Sequence, residues 1–139
     1  MKSTLTILTT IILTNICVAQ TRTISGTIVS ADMELLPRVD IYSMDTVVLG
    51  TTEMNGTFEF EVPSKTTKIL VGWLGMEWQT VELQPNCNTV NVLLMYAGNY
   101  CHRSYRKNQR RRRKYLAKQP ELLQQAYEQG IFGTEKPCR

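Results

Sequence analysis

Between Thr57 and Val62 apolar and polar residues alternate one for one, with Phe58, Phe60 and Val62 set against Thr57, Glu59 and Glu61. A period of two sends the apolar side chains to one face of a strand and the carboxylates to the other. Immediately before this strand stands Met54-Asn55-Gly56-Thr57. Asn-Gly suits a type I′ turn, because both residues tolerate positive φ, so the pair predicts a hairpin joining 46–53 to 57–62. The same reading marks strands at 22–30, with Ile24 and Ile28 on one side, and at 39–43, 68–74, 78–83 and 89–95. Seven short strands separated by turn residues predict a mainly β, seven-stranded antiparallel β-sandwich. The apolar runs Ile69-Leu70-Val71 and Val92-Leu93-Leu94-Met95 fit strands covered on both faces. Pro37 and Pro63 fall at strand ends, where a missing N–H costs no ladder bond.

Beyond Met95 the pattern changes to that of a short, basic α-helical C-terminal segment. Arg103, Arg106, Lys107, Arg110, Arg111, Arg112, Arg113, Lys114 and Lys118 fall within sixteen residues that hold no acid. Good helix formers dominate, and Ser104 or Asn99 is placed to cap a helix over 104–118. Four consecutive arginines repel one another, so order there calls for salt or an anionic partner. A second helix is marked by Pro120 in its first turn, an apolar stripe of Leu122, Leu123, Ala126 and Tyr127, and Gly130 as the left-handed stop. Ile131-Phe132 is positioned to fold back on that stripe. With Tyr115 and Leu116 the two helices predict a hairpin packed on the β domain.

Charge divides along the same boundary. Residues 20–100 hold four Lys or Arg against nine Asp or Glu, net −5, and residues 101–139 hold eleven against three, net +8. Docking of the segment on the domain is therefore electrostatically favourable.

The first residues read as an export signal. Lys2 gives the positive start, and Leu5 to Val18 are uncharged and mostly apolar or Thr, too short and Thr-rich for a membrane span. Small residues in Cys17-Val18-Ala19 allow cleavage before Gln20, whereas Thr14-Asn15-Ile16 is a poor match for lipidation at Cys17. The resulting division is a signal peptide at 1–19, a β domain at 20–98 and a basic segment at 99–139. About 120 residues then remain, enough for one domain. Export leaves Cys87, Cys101 and Cys138 where disulfides form. A Cys101–Cys138 bridge closes the C-terminal segment into a loop, and Cys87–Cys101 is an open alternative.

The motifs Ser25-Gly26-Thr27-Ile28-Val29, Leu36-Pro37-Arg38-Val39-Asp40-Ile41-Tyr42, Gly50-Thr51-Thr52-Glu53-Met54-Asn55-Gly56-Thr57-Phe58, Val62-Pro63 and Val71-Gly72-Trp73-Leu74-Gly75-Met76 follow one another in the chain. In that order they resemble the carboxypeptidase regulatory-like domain over residues 22–96. The resemblance implies a transthyretin-like β-sandwich, found in exported proteins of gram-negative bacteria and in N-terminal extensions of TonB-dependent receptors. It implies no peptidase activity, because that domain is an accessory one. Three positions depart from the family: Asp32-Met33-Glu34-Leu35 replaces a Gly-containing turn, Arg38 a common Gly, and Met54 a usual Asp. A receptor would continue into a plug and barrel, so this chain reads as a stand-alone copy.

Each chemically notable residue has a structural explanation. Gly26 and Gly72 allow a bulge or close packing, and Gly50 and Gly75 allow turns. Trp73 shares the parity of Ile69 and Val71 and reads as core, whereas Trp78 reads as exposed; together they could offer a sugar an aromatic platform. Glu59 and Glu61 read as solvated surface. The single histidine, His102, lies outside the β domain, and no Cys-x-x-Cys or His-x-x-Glu spacing occurs. The sequence therefore gives no catalytic, metal or cofactor set, no small-molecule substrate, and the expectation of a non-enzyme.

These readings converge on an exported binding or assembly module, periplasmic, outer-membrane-associated or secreted. Its partner would be an envelope protein or an anionic membrane surface, met by Arg103, Arg106, Lys107, Arg110, Arg111, Arg112, Arg113 and Lys114. Nucleic-acid binding through the same charges is an alternative, disfavoured by export and by the lack of aromatics among 106–114. A carbohydrate-binding sandwich is a second alternative.

Overall fold

A computed structural model describes residues 20–98 and 104–133. The signal at 1–19, Arg103, His102, Cys101 and Cys138 lie outside the described residues. The strands are β1 (Thr21–Ser30), β2 (Asp40–Tyr42), β3 (Val48–Thr51), β4 (Thr57–Pro63), β5 (Lys68–Gly72), β6 (Gln79–Glu82) and β7 (Val92–Leu94). Two helices follow, α1 (Tyr105–Leu116) and α2 (Gln119–Glu128). One sheet has three strands in the order β4-β1-β7, and the other has four in the order β3-β2-β5-β6.

Side chains from both sheets share one buried cluster. Ile24 and Ile28 of β1, Phe58, Phe60 and Val62 of β4, and Val92 and Leu94 of β7 meet Ile41, Ile69 and Val71 of the four-stranded sheet. The alternation along β4 is as the sequence predicts, with Phe58, Phe60 and Val62 buried and Glu59 and Glu61 exposed. Thr52 is the buried polar group of the adjoining loop. Its hydroxyl donates to the Leu36 carbonyl at 2.7 Å and accepts from the Val39 amide at 2.9 Å, fixing the Pro37 loop onto the end of β3.

Four expectations need correction. The strands are not all antiparallel, because β1 and β7 pair in parallel, Ile28 opposite Val92 and Ser30 opposite Leu94. The reason is topological: the chain leaves the three-stranded sheet after β4, builds β5 and β6 in the other sheet, and returns along the free side of β1. Parallel neighbours require such a crossover. The return is guided by Asn88 and Val90, whose backbones bond Ser25 at 2.8 and 2.9 Å.

The Asn55-Gly56 turn is not a type I′ hairpin within one sheet. Gly56 has φ +74°, but Asn55 is not among the residues with positive φ. The Gly56 amide bonds the Glu53 carbonyl and the Glu53 amide bonds the Thr57 carbonyl, a three-residue loop with one left-handed position. Beyond it the two arms are captured by different partners. Thr51 pairs with Asp40 of β2, whereas Thr57 pairs with Thr27 of β1, so the loop carries the chain between the sheets. Thr46, expected in the strand, occupies the preceding turn with φ +63°. Gly50, expected to serve a turn, lies in β3, where a Cβ would stand 3.2 Å from that of Phe60.

The helices pack on a second buried cluster. Ala126 of α2 and Phe132 lie against Val29, Leu93 and Met95, flanked by Tyr115, Leu116, Leu122, Leu123, Tyr127 and Ile131. The predicted C-terminal stop is realised. Gly130 has φ +71°, its amide bonds the Tyr127 carbonyl, and the Ile131 amide bonds the Ala126 carbonyl. That paired pattern turns the chain so that Phe132 meets Tyr127, with ring centroids 4.7 Å apart.

Candidate functional site

Helix α1 is built from YRKNQRRRRKYL and contains no buried residue. Ser104 occupies the capping position but makes no side-chain capping bond. Arg113 and Lys114 fall in the last turn, where positive charge complements the helix dipole. Its orientation is set by a few contacts at its C-terminal half. Arg112 donates from Nε to Glu77 Oε1 at 2.8 Å and from Nη2 to Glu77 Oε2 at 2.7 Å, a two-pronged pair. The Tyr115 hydroxyl accepts from the Tyr96 amide at 3.3 Å. Gln119, beginning α2, donates to Gln79 Oε1 and to the Leu93 carbonyl, both at 2.7 Å.

These anchors sort the basic residues. Arg112, Tyr115 and Leu116 turn toward the β domain, with Arg112 half-buried. Arg106, Arg110 and Arg113 follow one another at three- and four-residue spacing and are exposed, as are Lys107, Arg111 and Lys114. Tyr105, Arg106, Gln109, Arg110, Arg113 and Lys114 line an open cleft of about 810 Å³. Of the predicted cationic set, the structure thus brings six together on the outer side of α1 and diverts Arg112 to an internal partner. Arg103 is outside the described residues.

Glu77 carries the electrostatic signature of this docking. The hydrogen bonds from Arg112 hold its carboxyl below the usual value, desolvation opposes them, and the guanidinium charge adds to the lowering. Sequence reasoning missed Glu77, because it lies in the loop between β5 and β6 with no periodic pattern to give it a face. The only available signal was the negative balance of the β domain. Cys87 is buried and disulfide-bonded to a partner outside the described residues.

Among the described residues no group of three or more His, Cys, Asp or Glu is arranged to hold a metal ion. No helix among them is long and apolar enough to cross a membrane. No protein-family model matches this chain, and no curated protein matches it.

Proposed function

We propose that this chain is a non-catalytic exported module of the cell envelope: a transthyretin-like sandwich of the carboxypeptidase regulatory-like kind that presents a cationic helix to an anionic surface or partner. The observation that carries the reading is the division of labour on α1. One arginine is spent on Glu77, and Arg106, Lys107, Arg110, Arg111, Arg113 and Lys114 remain exposed on a helix held in place. A row of fixed cations meets clustered phosphates without first ordering the segment, and each adds about 1 kcal/mol near an anionic bilayer. The seven strands and the core shared by the two sheets fit the sandwich.

The test is co-sedimentation of the chain from Gln20 onward with vesicles of phosphatidylcholine and phosphatidylglycerol. Changing Arg106, Arg110, Arg113 and Lys114 to Gln, with Arg112 kept, should abolish binding and leave the fold intact. Equal sedimentation of both proteins, or none by the parent chain at low salt, would remove the anionic-surface reading. Retention of duplex DNA in preference to vesicles at physiological salt would favour nucleic acid instead.

A further inference from the structure

We propose that the outer face of the four-stranded sheet binds a neutral oligosaccharide, stacking a pyranose ring on the exposed part of Trp78, which Tyr42 holds by stacking against it, and accepting its hydroxyl hydrogens at Asp40. Trp73 takes no part, since it is only partly exposed and packs against the main core. The ring that joins Trp78 is that of Tyr42, with centroids 5.4 Å apart and planes 22° from parallel.

Gly72 sets the posture of Trp78. A Cβ on Gly72 would stand 2.5, 2.6 and 2.7 Å from Cδ2, Cε3 and Cε2 of the indole, three adjacent ring atoms at nearly one distance. The indole therefore lies face-down across the backbone of β5, in space that any other residue would fill. Held this way, Trp78 remains 55% exposed. A pyranose with equatorial hydroxyls presents C–H groups on its faces, an apolar disc that matches an immobilised aromatic ring.

The rim of such a sugar needs acceptors, and one is already oriented. Asp40 Oδ2 accepts from the Tyr42 hydroxyl at 3.2 Å and Oδ1 from the Thr51 hydroxyl at 3.0 Å. Each carboxylate oxygen keeps acceptor capacity beyond that single bond. Partial desolvation and then the Asp40 carboxylate raise the Tyr42 pKa above its ordinary 10.0, so the phenol stays a donor at neutral pH. Lys68, on the same sheet face, is paired with Glu82 at 3.4 Å, which favours an uncharged ligand over an anionic one. Val48 and Leu70 add apolar surface that a protein could also use. The fixed carboxylate beside the rings already accepts two hydroxyl hydrogens, the kind of bond a polyhydroxylated ligand would make there.

The test is calorimetric titration of the full chain with cellohexaose, whose hydroxyls are equatorial, beside a printed array of neutral pyranose oligosaccharides. Binding to at least one glycan is expected, with about a tenfold loss of affinity in Trp78→Ala and in Tyr42→Ala. Gly72→Ala, which lifts the indole, should also weaken it, whereas Glu59→Gln on the exposed face of β4 in the other sheet should not. Circular dichroism verifies that each variant is folded. The proposal is overturned if neither cellohexaose nor any arrayed glycan binds, or if Trp78→Ala binds as well as the parent. It is equally overturned if the face instead mediates self-association that Trp78→Ala abolishes while no glycan binds. None of these outcomes depends on vesicle binding by α1.

Discussion

Arg112 and Glu77 are joined by two parallel hydrogen bonds of 2.8 and 2.7 Å, across a sequence separation of 35. The guanidinium fork matches the carboxylate, which is why the pair fixes orientation as well as proximity.

The pair makes docking of the helices pH-dependent. Glu77 has a lowered pKa in the folded chain against an ordinary 4.5. Its contribution is therefore complete above about pH 4.5 and is lost as the pH falls through the lowered folded value. The Arg112 side chain is 40% exposed, so the contribution is held to about 1 kcal/mol. Thermal melts of the parent and Glu77→Gln should differ at pH 7 and converge toward pH 3. A gap that stays constant over that range would contradict the assignment.

Docking also rests on apolar contact. Ala126 is fully buried at the centre of the second cluster, which is distinct from the cluster between the sheets. Ala126→Glu would force a carboxylate into that contact, at a cost of about 3 kcal/mol or more. The expected result is rapid hydrogen exchange throughout α1 and α2, with Ile41 and Val71 still protected. Loss of protection at Ile41 and Val71 to the same degree would show that the two clusters melt as one.

What the sequence displayed was what short-range pattern encodes. The Phe58, Phe60 and Val62 alternation, the Pro120 start and the Gly130 stop each depend on neighbours within a few residues, and each is present. Hidden were the relations made by the path of the chain. Asn55-Gly56 marked a reversal, but the capture of Thr57 by Thr27 decided which sheet received the next strand. The parallel course of β7 depends on β5 and β6 having been placed elsewhere. For the candidate sites, the basic run was legible, but Glu77 and Tyr42 were not. Their roles come from loop closure and cross-strand neighbours that composition does not encode.

The two reversals flanking β3 have the same backbone pattern with unequal residues. In the first, the Thr46 amide bonds the Ser43 carbonyl at 3.0 Å and the Ser43 amide bonds the Val47 carbonyl at 2.8 Å. In the second, Gly56 and Glu53 make the corresponding bonds at 3.0 and 2.7 Å. Thr46 holds φ +63° where the other loop has glycine at +74°. A β-branched residue in that region costs about 1–2 kcal/mol, more than the roughly 0.5–1 kcal/mol of chain entropy that glycine adds. Thr46 is exposed, so little packing is lost on replacing it. Thr46→Gly should therefore raise stability by about 0.5–1 kcal/mol and the Tm by about 2–6 °C. The converse change, Gly56→Thr, meets both strain and crowding, since a Cβ there would lie 3.1 Å from the Ile28 carbonyl oxygen, Leu35 Cβ and the Leu36 amide nitrogen. It should destabilise by more than Thr46→Gly stabilises. Denaturant titration of both variants checks the comparison, and a fall in midpoint for Thr46→Gly would show that the left-handed conformation is not the source of strain.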